Sequence, residues 1–263
     1  MPPPTSAPAF PGSPVQIPAS ISHVLLDIEG TTCPVSFVSE VLFPHARAQL
    51  GSYLGERAEE PQVKALVAEL EQAWRAAQDP EAIVHGQPAD PTASPRERAL
   101  ALVPYLEWLI DHDRKLTPLK DLQGWIWEEG YASGVLQGPL FEDVAPALRR
   151  WQEQGLALAV YSSGSVQAQQ LIYGHSTAGD LRELFSAWFD TRIGPKQAAA
   201  SYTAIAAELG IPPESVLFLS DSLAELDAAA AAGCLVAMIQ RPGNPAAAPH
   251  RHPILNSFDK LNR

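Results

Sequence analysis

From residue 156 to residue 239 the sequence alternates short apolar runs with longer helix-like segments, and most runs close on polar residues. Residues 156–161 lead into Ser162-Ser163-Gly164-Ser165, residues 187–189 into Asp190, and residues 215–219 into Ser220-Asp221. Residues 235–239 form the last run. Short, uninterrupted apolar runs of this kind suit strands buried on both faces. The segments between them, 166–173, 196–209 and 223–232, suit helices, the last two stopped by Gly210 and Gly233. Strands alternating with helices dictate a parallel sheet with right-handed crossovers. The expected fold class is therefore α/β, a doubly wound parallel sheet.

The same sheet gains a strand earlier, at residues 23–27, and then the character changes. Residues 39–56, 61–78, 96–112 and 118–132 lack strand-like alternation. Apolar residues there recur at helical spacing, as in Leu66, Leu70, Ala73 and Trp74, or Leu102, Leu106, Leu109 and Ile110. Residues 79–95 hold four prolines and are expected to form a loop. The α/β pattern resumes after Gly138-Pro139, with a helix over 142–154 stopped by Gly155. The chain thus reads as an α/β core, 21–38 and 134–263, interrupted by an all-helical insertion, 39–133. An insertion directly after the first strand is placed where a lid or cap would be. Residues 1–20 contain seven prolines and read as a disordered, extended tail. Residues 241–253, with four prolines, read as irregular.

Bulk properties exclude several function classes. The chain of 263 residues carries a formal net charge of −12, which argues against nucleic acid or an anionic membrane as the main partner. No run of 18 apolar residues is present, so no membrane-spanning helix is expected. The N-terminus has neither the basic nor the apolar region of a signal peptide. Cys33 and Cys234 give no disulfide framework and no zinc signature, and read as packed thiols. A cytoplasmic location fits.

Polar groups gather at the strand ends. Asp27 and Glu29 lie one residue apart, on one side of the first strand's end. Two like charges placed together call for a cation, a shared proton or a reacting group. Ser162, Ser163 and the amides of Gly164 and Ser165 stand at a helix start, where unpaired N–H groups favour phosphate. Lys196, in Ile-Gly-Pro-Lys, is expected in a first helical turn, an unfavourable place for a cation unless an anion meets it. Asp221 follows an apolar run, with Glu225 one helical turn later. Each alone has a bland reading, as a serine or aspartate cap, a surface lysine or an acidic turn.

Their order and spacing carry more weight. Acid pair, hydroxyl loop, lysine and acid resemble the series found in the haloacid-dehalogenase-like superfamily of phosphotransferases. The resemblance is closest to the enolase-phosphatase (acireductone synthase) family of methionine salvage. That family carries Asp-x-Glu-Gly-Thr-Thr, matched by Asp27-Ile28-Glu29-Gly30-Thr31-Thr32. The likeness extends through Tyr161-Ser162-Ser163-Gly164-Ser165, Gly174-His175-Ser176-Thr177, Phe189-Asp190-Thr191-Arg192-Ile193-Gly194, Leu217-Phe218-Leu219-Ser220-Asp221 and Arg241-Pro242-Gly243-Asn244. It runs from about residue 22 to 260.

The resemblance implies a Rossmann-like core with an inserted helical cap, and a monomer. It implies Asp27 as nucleophile, forming an aspartyl-phosphate that water hydrolyses. It implies Mg2+ held by Asp27, Asp221 and the Glu29 position, phosphate held by Ser162, Ser163 and Gly164, and charge neutralised by Lys196. The implied substrate is a small phosphorylated diketone, 2,3-diketo-5-methylthiopentyl 1-phosphate, first enolised and then dephosphorylated to the acireductone. Glu29, Lys196 and His175 are candidates for the enolising base, and Phe37, Phe43 and Trp127 for contact with the methylthio group. Pro195 before Lys196 departs from many phosphatases of the superfamily. Two other readings compete: a generic Mg2+-dependent sugar-phosphate phosphatase, disfavoured by Glu29 and Thr31-Thr32, and a non-catalytic phosphate-binding module, disfavoured by the presence of Asp27, Lys196 and Asp221.

Overall fold

The computed structural model describes residues 15–85, 92–246 and 248–263. In chain order its elements begin with β1 (Val15–Gln16), β2 (His23–Leu26), a π-helical turn (Val38–Leu42), α1 (Phe43–Arg57), α2 (Pro61–Ala76), α3 (Pro80–His85), α4 (Pro95–Ala101), α5 (Val103–Asp111) and α6 (Thr117–Ala132). There follow α7 (Val144–Glu153), β3 (Ala157–Tyr161), α8 (Val166–Gly174), β4 (Phe185–Phe189), α9 (Ala199–Glu208), β5 (Val216–Ser220), α10 (Leu223–Ala231), β6 (Leu235–Ile239), β7 (Ile254–Leu255) and β8 (Leu261–Asn262). They fall into two compact units. One takes the chain up to Phe37 together with Gln137–Arg263; the other is Val38–Leu136.

The first unit is built on a six-stranded sheet of order β4-β3-β2-β5-β6-β7, with every pairing parallel. Apolar residues fill its strands because both faces are covered: Val24, Leu25 and Leu26 of β2 and Leu217, Phe218 and Leu219 of β5 are buried. From β2 the chain moves outward to β3 and β4, then returns to β5 on the other side of β2. The strand order therefore reverses between β2 and β5. In open parallel sheets the crevice beyond the carboxyl ends at such a reversal is where ligands bind. A core of Tyr161, Phe189, Tyr202, Ile205, Phe218 and Leu226 packs beside it.

Among the described residues, every regular element of the second unit is a helix. The apolar stripes of α1, α2, α5 and α6 meet through Leu50, Leu54, Leu66, Leu70, Leu106, Leu109, Leu122 and Ile126, all buried. The Trp127 indole N–H donates to the Leu42 carbonyl at 2.8 Å, and its ring lies 6.2 Å from that of Phe43. Trp127 is thereby a core residue of this unit. No helix among the described residues is long and apolar enough to cross a membrane.

Three local expectations need correction. Residues 15–20 are tied down: β1 pairs in parallel with β8, and Ile17 is buried; residues 1–14 of the expected tail lie outside the described residues. The stretch 79–95 is not all loop, since Pro80–His85 forms α3, with Pro at the first helical position where its missing N–H costs nothing; residues 86–91 lie outside the described residues. Lys196 is not in a helical turn. It sits in a loop ahead of α9, so the helix dipole is not what acts on it.

Candidate active site

Asp27 is the first residue beyond β2. Leu26 is in register with Val160 of β3 and Leu219 of β5, so Asp27 stands level with the ends of both neighbouring strands. Its amide continues the ladder, donating to the Leu219 carbonyl at 3.0 Å. The chain then turns at once. The amides of Thr31, Thr32 and Cys33 converge on the Ile28 carbonyl at 3.2, 2.9 and 2.9 Å, and the Gly30 amide donates to Cys33 O at 2.8 Å. Gly30 has φ +70°, and a β-carbon there would overlap the Asp221 carboxylate. Glycine is required both for the backbone conformation and for the approach of that acid. Asp-Ile-Glu-Gly-Thr-Thr is thus a strand end and a turn shaped to bring Asp221 against the backbone.

The Asp27 carboxylate is buried and held at both oxygens. Oδ1 accepts from Lys196 Nζ at 2.7 Å and from the Ile28 amide at 2.8 Å; Oδ2 accepts from Ser220 Oγ at 3.0 Å. Lys196, 8% exposed, forms a second ion pair with Glu225 Oε2 at 2.7 Å. Ser220 Oγ lies 3.1 Å from that same glutamate oxygen, which closes a ring of Asp27, Lys196, Glu225 and Ser220. Burial works against the Lys196 ammonium, but the charges of Asp27 and Glu225 outweigh it and hold its pKa above the ordinary lysine value. Burial, and then the charge of Asp27, push Glu225 upward. The same two causes push the Asp221 carboxyl up to about 7, with Glu29 adding to the effect.

The hydroxyl loop lies past β3. Ser162 is buried and its Oγ accepts from the Gly164 amide at 3.2 Å, a local turn bond. Ser163 is exposed. Ser165 caps α8, accepting from the Ala168 amide at 3.2 Å. Gln169, 1% exposed, ties the loop to the sheet by donating to Gly164 O at 2.9 Å and to Phe189 O at 2.8 Å.

Residues 21–233 match the family described as haloacid dehalogenase-like hydrolase. An enolase-phosphatase E1 of Synechococcus sp. (strain RCC307) is 53% identical over 238 residues, covering 90% of this chain and 92% of the relative. An enolase-phosphatase E1 of Gluconacetobacter diazotrophicus is 48% identical over 244 residues, covering 93% and 94%. The chain belongs to the enolase-phosphatase family of haloacid dehalogenase-like hydrolases. Among solved structures, the UTR4 protein of Saccharomyces cerevisiae superposes with a TM-score of 0.73 at 30% identity, covering 91% of this chain and 99% of that one. CbbY of Rhodobacter sphaeroides, at 20% identity and a TM-score of 0.55, shares the fold.

Within this enolase-phosphatase fold, the expected residues do not all converge. Asp27 and Lys196 are in direct contact, and Asp221 feels the charge of Asp27 and Glu29. Glu29 is half-buried in the turn, bridged through its backbone to Cys33. His175 stands at the far end of the nine-residue α8 from Ser165, about 15 Å along the axis, and is set apart from the serine loop. No three His, Cys, Asp or Glu side chains among the described residues form a ready metal-binding group. The donors at Asp27 and Asp221 are nevertheless all oxygen, and Asp221 lies in an excess of negative charge. That donor set fits a hard divalent cation that keeps most of its water.

Sequence reasoning missed four supports. Glu225 was noted only by its spacing, yet it is the second anchor of Lys196. Ser220 bonds Asp27 directly. Asn244 Nδ2 donates to Gly30 O at 2.8 Å and Arg241 Nε to Thr31 O at 3.0 Å, holding the turn after Asp27 from outside. Arg241 is in turn gripped by both oxygens of Asp143, at 2.9 and 2.8 Å, between the rings of Phe141 and Phe258. The Arg-Pro-Gly-Asn stretch was the available signal for this clamp.

Proposed function

We infer that this chain is the bifunctional enolase-phosphatase of methionine salvage, enolising 2,3-diketo-5-methylthiopentyl 1-phosphate and hydrolysing the product to the acireductone. The observation that carries this reading is the Asp27 carboxylate, held by Lys196 and Ser220 at the sheet's switch point, within the Asp-x-Glu-Gly-Thr-Thr turn of the family.

In the phosphatase step an Asp27 oxygen attacks phosphorus, the bond to the enolate oxygen breaks, and water then hydrolyses the acyl phosphate. Ser220 and the Ile28 amide keep the carboxylate aimed without covering every lone pair. Lys196, already cationic and fixed beside Asp27, stabilises the charge that grows on the transferring phosphoryl group. Ser162, Ser163 and the Gly164 amide take up the phosphate oxygens. Asp27, Asp221 and the Glu29 position would hold Mg2+, which supplies neutralisation between an anionic nucleophile and an anionic phosphate.

Enolisation needs a base for a carbon-bound proton. Lys196 is paired with two carboxylates and acts as a cation, stabilising enolate charge. That leaves Glu29 to accept the proton. The leaving group in the second step is then a conjugated enol, which needs little protonation, so an acid at position 29 is free for the first step.

The test follows phosphate release and the ultraviolet absorbance of the conjugated enol together, with Mg2+ present. Both signals are expected from the diketone phosphate. Glu29→Gln is expected to suppress the enol signal more strongly than hydrolysis of a preformed enol phosphate. Release of phosphate from ordinary sugar phosphates, with none from the diketone phosphate, would identify a general phosphatase instead.

A further inference from the structure

The loop that carries Lys196 is held by an unusual set of bonds. Three consecutive carbonyls, Gly194, Pro195 and Lys196, each accept a side-chain hydroxyl: Tyr161 at 2.9 Å, Ser201 at 2.8 Å and Tyr202 at 2.8 Å. Ser201 is 2% exposed, and both tyrosines are fully buried. Pro195 has no N–H to offer a neighbouring strand, and the loop belongs to no helix or strand. Gly194 has φ +149°, and a β-carbon there would overlap Ser201 Oγ, so the close approach of the serine depends on glycine. The two tyrosine rings meet edge to face at 5.6 Å, and Tyr202 packs on Phe218 at 5.1 Å, which fixes both hydroxyls in the core.

We propose that Tyr161, Ser201 and Tyr202 are positioning residues for Lys196, a row of hydroxyl staples that sets where its ammonium stands relative to Asp27. A lysine side chain is long and flexible, so its charge is aimed only if its backbone is fixed. A displacement of about 1 Å at a reacting group is enough to lower a rate by about a hundredfold. Tyr202 is the most direct staple because it bonds the carbonyl of Lys196 itself. The inference rests on the role assigned to Lys196 above.

The test is a double-mutant cycle of Tyr202→Phe with Lys196→Met, read on kcat and KM for phosphate release and, in parallel, on affinity for inorganic phosphate by calorimetry. Tyr202→Phe keeps the ring packing. It is expected to lower kcat about tenfold with KM within about twofold, and to change neither readout further once Lys196 is gone. Equal losses in both backgrounds, or a wild-type kcat with only a lowered melting temperature, would overturn it. Tyr161→Phe repeats the measurement if Tyr202→Phe fails to fold. The calorimetric arm needs no turnover, so it still decides the positioning question if the wild-type chain proves inactive on the diketone phosphate.

Discussion

Two polar groupings at the carboxyl end of the sheet are built in opposite ways. One is the ring of Asp27, Lys196, Glu225 and Ser220: buried, closed on itself and stapled through the Lys196 loop. The other is the loop of Ser162, Ser163 and Gly164, held by the local bond from the Gly164 amide to Ser162 Oγ and by Gln169 on Gly164 O, and with Ser163 exposed. The charges that must be aimed are fixed in advance, which spares reorganisation when the transferring group arrives. Of the groups proposed to receive the phosphate, Ser163 is exposed, while Ser162 is buried. The largest test of this contrast is Asp27→Asn. The amide keeps the shape but loses the proposed nucleophile, so kcat for phosphate release should fall by at least about 10⁴-fold. Single-turnover assays with radiolabelled substrate should show no labelled protein. A variant with near wild-type turnover would end the covalent mechanism.

The closed side also has a backing, and removing it should be felt as stability. Asp143 is pulled two ways: burial raises its pKa, but the Phe258 amide and Arg241 outweigh that and hold it below the ordinary carboxylate value. Arg241 is 3% exposed at its side chain, so Asp143→Ala leaves a buried guanidinium without its partner. The expected loss is about 3–5 kcal/mol in urea unfolding at pH 7. The sign with pH follows from the direction of the shift. A depressed folded-state value means the contribution is complete above the unfolded value near 4 and is lost as pH falls through the lower folded value. The gap between wild type and Asp143→Ala should therefore be widest at neutral pH and narrow below about pH 4. A gap that stays constant into strong acid would show that pairing is not its source.

How much of this was legible beforehand follows the range of the interactions. Strands β2, β3, β5 and β6 were readable because buried parallel strands are written as local apolar runs, and Asp27, Glu29 and Asp221 because they end such runs. Lys196 was singled out as a cation in a first helical turn, but it stands in a loop ahead of α9, and the anions that meet it are Asp27 and Glu225. Pro195 and Gly194 break the local pattern, and the loop is held by hydroxyls from other elements. Tyr161 bonds a carbonyl 33 positions away, Ser220 an acid 193 positions away and Arg241 a carbonyl 210 positions away. Nothing periodic marks such partners, so a chain read in order cannot pair them. Helix α3 was hidden because Pro80, which argues for loop, in fact sits at the helix start.

Within the closed ring, Lys196→Met should cost less than loss of the nucleophile. On the role proposed for Lys196 it removes one cation from the transition state, an expected loss of about 10²–10³ in kcat. It also leaves Asp27 and Glu225 without their shared counter-charge in a buried site. If the ring is as rigid as its contacts indicate, Lys196→Arg should not rescue it, because the bulkier guanidinium cannot occupy the same point between two carboxylates. Rescue to within a few-fold of wild type would mean the ring is looser than the contrast requires.

The open side should give the smallest effects, and they should differ in kind between its two serines. Ser163 is exposed and free of a local turn role, so Ser163→Ala removes only a donor to phosphate, worth about tenfold in kcat/KM with no change in melting temperature. Ser162 is 4% exposed and its Oγ accepts from the Gly164 amide, so Ser162→Ala leaves that amide without its acceptor and loosens the turn. Its loss should be larger and should include a small drop in melting temperature. Kinetics and thermal unfolding on the two variants, set beside inorganic phosphate as a product inhibitor, separate the cases. Should Ser162→Ala prove as mild as Ser163→Ala, the loop is organised by Gln169 alone, which holds it through Gly164 O and Phe189 O, and the contrast between a closed and an open side narrows to the one exposed hydroxyl.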